Sequence, residues 1–138
     1  MERISDIIKD RIVSQKTIVI ADACHSGGIG SDFRGISTPD LYTEFGESMK
    51  KYSGKAILTA SRARELSQEL AEFEQGVFTY YLIEGLNGKA DNDNDGIVTL
   101  SEIYDYVYEN VKEVTGGIQH PDLKGNYDNN LPLSIIAK

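Results

Sequence analysis

The sequence predicts an α/β domain with a mostly parallel sheet flanked by helices, and three observations carry that prediction. Thr17-Ile18-Val19-Ile20 is a β-branched apolar run without polar alternation, the pattern of a strand buried on both faces of a parallel sheet. A second run, Lys55-Ala56-Ile57-Leu58-Thr59-Ala60-Ser61, reads as another short strand. Segments of helical periodicity lie before, between and after these runs, as α/β folds require. The 138 residues suit one domain and are too few for two ordinary ones.

In chain order, Ile4, Ile7, Ile8 and Ile12 follow helical spacing, which predicts an amphipathic helix over 2–13. Ser14-Gln15-Lys16 is a short turn, and the first strand covers about 17–23. Residues 25–39, rich in glycine and serine, form a loop at the end of that strand. Thr38-Pro39-Asp40 supplies an N-cap followed by proline at the first helical position, opening a helix that runs to about Tyr52. Ser53-Gly54 stops it, and the second strand covers about 55–60.

Residues 64–74 are acidic and partly helical. They form either a solvated acidic face, on which Glu65 and Glu69 would repel unless a cation faced them, or an irregular loop lining a pocket for a basic side chain. Residues 76–86 form a mostly apolar helix. A second helix over 101–114 carries Ile103, Tyr106, Val107, Asn110, Val111 and Val114 on one face. Thr115-Gly116-Gly117 ends it, 119–125 is an extended or turning loop, and 131–136 is a last strand in which Pro132 favours an edge.

A net charge of −8 and a pI near 4.7 argue against a nucleic-acid or anionic-membrane partner and suit a protein that binds cations. A single cysteine excludes an internal disulfide. No apolar run approaches the ~20 residues of a membrane span. The segment before the first strand lacks the uninterrupted apolar core of a secretory signal, so the expected location is cytoplasmic.

Two motifs carry chemistry. Asp91, Asp93, Asp95, Gly96 and Glu102 occupy positions 1, 3, 5, 6 and 12 of the EF-hand template. Ca²⁺ takes six to eight oxygens. Alternate carboxylates supply three, the backbone carbonyl of Ile97 adds one, and a bidentate Glu102 closes the shell. The other reading of 91–102 is an acidic turn between helices, held by Asx hydrogen bonds without metal.

The second motif is Asp22-Ala23-Cys24-His25-Ser26-Gly27-Gly28, where the first strand stops. Ligands of open α/β sheets bind at such strand ends. A lone thiol followed by glycines reads either as a nucleophile beside backbone donors or as a buried cysteine serving as a small hydrophobe. These seven residues resemble the nucleophile motif of the caspase-like cysteine peptidases, most closely the metacaspase and prokaryotic branch. There, too, an acid lies two residues before the cysteine and His-Ser-Gly follows it. Gly76-Val77-Phe78-Thr79-Tyr80-Tyr81-Leu82 is similar to the helix after the second strand in the prokaryotic members.

The resemblance covers about residues 2–136 and corresponds to the C-terminal half of the family domain. It implies a three-layer caspase-like fold, with 1–138 a single partial domain whose N-terminal strands are absent. It further implies a cysteine endopeptidase with Cys24 as thiolate nucleophile and its own N–H as one oxyanion donor. Asp22 matches the acid that selects arginine or lysine before the cut. Its alternative role is structural, tying down the loop by accepting backbone N–H bonds. Ser61, at the end of the second strand, is the other substrate-binding candidate.

The family histidine and the glycine after it precede the cysteine by some tens of residues, and none of the 23 residues before Cys24 is histidine. His25 is adjacent to Cys24 and projects differently, while His120 matches no family position. The expected partners are therefore a polypeptide with a basic residue before the cut and a chain or segment supplying the N-terminal half. The missing strands would leave an exposed sheet edge prone to self-association. The competing expectations are a catalytically inactive calcium-binding and protein-interaction module of the same fold, and an ordinary doubly wound domain with Cys24 in its core.

Overall fold

The computed structural model describes residues 13–22, 54–60 and 76–137. The predicted helices over 2–13 and 38–52, the loop 25–39 and the acidic segment 64–74 lie outside the described residues, as do Cys24, His25 and Ser61.

Two sheets and two helices make up the described fold. β1 (Thr17–Ala21) pairs in parallel with β2 (Lys55–Thr59), Thr17 opposite Lys55 and Ala21 opposite Thr59. The other side of β2 pairs antiparallel with β4 (Asp122–Asn126), Lys55 opposite Asn126 and Thr59 opposite Asp122. A separate two-stranded antiparallel sheet joins β3 (Ile97–Thr99) to β5 (Pro132–Ile135), with a bulge between Val98 and Thr99. The class is α/β, but its main sheet is mixed, with one parallel and one antiparallel ladder among the described strands.

The apolar runs distribute differently from the expectation. β2 is the strand buried on both sides, with Lys55 through Leu58 inaccessible. β1 is half-buried, exposes Ile20 by 38% and has β2 as its one neighbour among the described strands. The expected last strand, 131–136, forms as β5 but leaves the main sheet to pair with β3. Its place is held there by Ile136 N–H donating to the Gly96 carbonyl at 2.9 Å and by Ser134 Oγ donating to the Leu86 carbonyl at 2.8 Å. The stretch expected as a loop, 119–125, instead supplies β4.

α1 (Val77–Glu84) is followed by a π-helical turn over Gly85–Lys89, so the regular helix ends before the expected residue 86. α2 (Leu100–Val114) buries Leu100, Ile103, Val107 and Val111, a single stripe at helical spacing. These pack with Val77, Phe78, Ala90, Val98, Ala56 and Leu58 into the core. Each buried Val, Leu, Ile or Phe among them stabilises the fold by about 1.5–3 kcal/mol, which anchors α2 and the strand before it. Tyr106 of α2 meets Tyr81 of α1 edge-to-face at 6.3 Å and donates its hydroxyl to Glu84 Oε2 at 2.9 Å. Burial first, then the Glu84 hydrogen bond, pushes the Tyr106 hydroxyl up to about 12. Among the described residues no helix is long and apolar enough to cross a membrane.

Candidate functional site

The described candidate residues lie at two places: Asp22 at the carboxyl end of β1, and Asp91, Asp93, Asp95 and Glu102 in and beside the acidic loop between the helices. At the strand ends, the parallel register sets Ala21 beside Thr59, and Ala60 N–H donates to the Ala21 carbonyl at 3.1 Å. Asp22 and Ala60 therefore leave the sheet side by side, as expected of parallel neighbours. Cys24 follows Asp22 by two residues and Ser61 follows Ala60 by one, both outside the described residues.

Asp22 is exposed, and α1 approaches it end-on. Thr79 Oγ1, in the first turn of α1, donates to Asp22 Oδ2. The α1 N-cap is Gly76, which offers no side chain to cap the helix. On the other flank, the fully buried Gln119 donates from Nε2 to the Ala60 carbonyl at 2.8 Å. Gln119 N–H in turn donates to Thr115 Oγ1 at 3.1 Å, just beyond the C-terminus of α2. His120 packs its ring against Tyr108 of α2, centroids 6.0 Å apart. Thr79 and Gln119 were not singled out from sequence. The one available signal is that Thr79 is the sole small hydroxyl in an otherwise apolar and aromatic helix start.

The acidic loop is wound around its own carboxylates. Asp91 Oδ1 accepts from Asp95 N–H at 3.2 Å and Oδ2 from Gly96 N–H at 3.0 Å. Asp93 Oδ1 also accepts from Asp95 N–H at 3.2 Å, and Asp95 Oδ1 accepts from Ile97 N–H at 2.8 Å. The coil needs left-handed backbone at Asn94 (φ 59°) and Gly96 (φ 86°), residue types that adopt it at low cost. Ile97 begins β3 opposite Ile135, and Val98 beside it is fully buried, so the loop hangs on the core.

One carboxylate oxygen from each of Asp91, Asp93 and Asp95 lies within 4.8 Å of the others. Oxygens bound to one Ca²⁺ at about 2.4 Å stand at most about 4.8 Å apart, so this triplet fits a single calcium-sized ion. Glu102 is placed differently. It is the third residue of α2, and its Oε2 accepts from Thr99 N–H and Thr99 Oγ1, both at 2.9 Å, in a capping box with Thr99 as N-cap. Its Oε1 reaches back to Asn92 N–H at 3.1 Å, closing the loop over its start. The Thr-x-x-Glu spacing is a readable capping signal, so one glutamate serves two sequence patterns at once.

Charge in the loop is uneven. The Glu102 carboxyl is held below its ordinary value, first by the Thr99 N–H it accepts. Asp93 also accepts an N–H, from Asp95, which pulls it down. Partial desolvation and the charges of Asp95 and Glu102 outweigh that and hold it above the usual carboxylate range. Carboxylates crowded so that one resists ionising form an arrangement that a divalent cation would relieve. No protein-family model, curated protein or solved structure matches the chain.

Proposed function

We propose that the chain belongs to a caspase-like cysteine endopeptidase that cleaves after arginine or lysine. The Cys24 thiolate attacks the scissile carbonyl, the C–N bond breaks as the amine leaves with a proton from the histidine, and water hydrolyses the thioester to the acid and restores the thiol. The Cys24 N–H donates to the developing oxyanion, while Asp22 and Ser61 hold the basic side chain. The general base is a histidine supplied by a separate chain or segment carrying the N-terminal half of the domain. The observation that carries this reading is the parallel register of β1 and β2, which puts the acid of the Asp-Ala-Cys-His-Ser-Gly motif beside the end of the second strand. In the complete domain, Cys24→Ala is expected to abolish cleavage of Arg/Lys peptides, and full activity in that variant would overturn the assignment.

The loop 91–102 is proposed as a Ca²⁺ site held by Asp91, Asp93, Asp95, the Ile97 carbonyl and Glu102. Bound there, the ion would neutralise the crowded carboxylates and brace the junction between α1 and α2. The same geometry favours a second reading, a catalytically silent calcium-binding and protein-interaction module of this fold. The Cys24→Ala experiment separates the two.

A further inference from the structure

We propose that Thr79 is the positioning residue for Asp22, fixing its carboxylate for a guanidinium or ammonium group. The inference rests on reading Asp22 as the acid of a basic-residue pocket, and it names what orients that acid. A threonine inside a helix commonly turns its hydroxyl back onto a carbonyl three or four residues earlier. Thr79 instead donates outward to Asp22 Oδ2, 57 residues away in sequence. Among the described residues this is the one hydrogen bond to the Asp22 side chain.

The approach depends on Gly76. A Cβ there would stand 3.1 Å from Asp22 Oδ2, tighter than ordinary contact, so a side chain at 76 would push the carboxylate aside. Gly76 and Thr79 lie three residues apart, on one face at the start of α1, and together form a seat for one oxygen of the acid. With Oδ2 held, Oδ1 remains as the acceptor for the incoming cation. An exposed aspartate free to rotate would lose orientational entropy on binding; one already held by a hydroxyl loses less.

The test uses Cys24 as its own reporter in the complete domain. Two peptide chloromethyl ketones are compared, one with arginine and one with uncharged norleucine beside the electrophile, and alkylation of Cys24 is followed by mass spectrometry. The parent is expected to react faster with the arginine reagent. Thr79→Val keeps the shape and removes the donor. It should lower the arginine-over-norleucine ratio by about fivefold, the order of one ordinary hydrogen bond's net contribution, with the norleucine rate unchanged. Thr79→Ser restores the hydroxyl and should restore the ratio.

A ratio retained by Thr79→Val overturns the inference while leaving the pocket reading intact. Equal loss of both rates, the mark of a general structural defect, overturns it too. A parent without arginine preference overturns the pocket reading itself and this inference with it.

Discussion

Calcium should stabilise this chain measurably, and the size of the effect follows from the loop. Asp91, Asp93 and Asp95 are already within reach of one ion, while Glu102 must turn out of its capping box with Thr99 to close the shell, which weakens binding. Such loops span dissociation constants from about 10⁻⁹ to 10⁻³ M, and a single loop at the weak end of the sensor range binds at about 10 μM. At 1 mM Ca²⁺ the ion is then at about 100 times its dissociation constant, which stabilises the folded state by about 2.7 kcal/mol. For a domain of this size 1 kcal/mol moves the melting temperature by about 3 °C, so a rise of about 8 °C is expected.

Differential scanning calorimetry in EDTA and in 1 mM CaCl₂ measures it. Asp93→Ala combined with Glu102→Gln should erase the calcium-dependent rise. No calcium effect on the parent, or an undiminished effect in the double variant, would refute the metal assignment.

Two further outcomes concern stability. Gln119→Ala leaves the buried Ala60 carbonyl without its donor and opens a small cavity, and should cost about 2–4 kcal/mol, read as a lowered urea midpoint. The second concerns acid. The Glu102 carboxyl lies below its ordinary value, so its contribution is full above the unfolded glutamate value of about 4.3 and is lost as pH falls through the folded value. Asp93 lies above its ordinary value and has the opposite sign: its contribution is present in acid and lost as pH rises through the folded value. The calcium-free difference in melting temperature between the parent and Glu102→Gln should therefore be full above about pH 4.3 and shrink as the pH falls further.

Much of this fold was legible because its signals are local. The run Thr17–Ile20, the second run Lys55–Thr59, the periodicity of α2 and the five-position acidic template each lie within about a dozen residues. β4 was not legible. Asp122-Leu123-Lys124-Gly125-Asn126 is made almost wholly of residues depleted in strands, and it becomes one only because β2 offers a free edge far away in sequence. The apolar run of β1 predicted burial on both faces, while the described structure gives that place to β2. The same distance hides the supports of the candidate site. Thr79 meets Asp22 across 57 residues and Gln119 meets Ala60 across 59, and neither residue type announces such a partner. The motif residues were found because they are contiguous, and their supporting residues were missed because they are not.

The proposed function rests on Cys24 as a nucleophile beside a pocket for a basic side chain governed by Asp22. It is tested most directly by the rate at which an arginyl chloromethyl ketone alkylates Cys24 in the parent and in Asp22→Asn. A carboxylate facing a guanidinium accounts for about tenfold, the factor that corresponds to 1.4 kcal/mol. The arginyl rate is expected to fall by about that factor in Asp22→Asn, with the norleucine rate unchanged. Equal arginyl rates in the two proteins would contradict it.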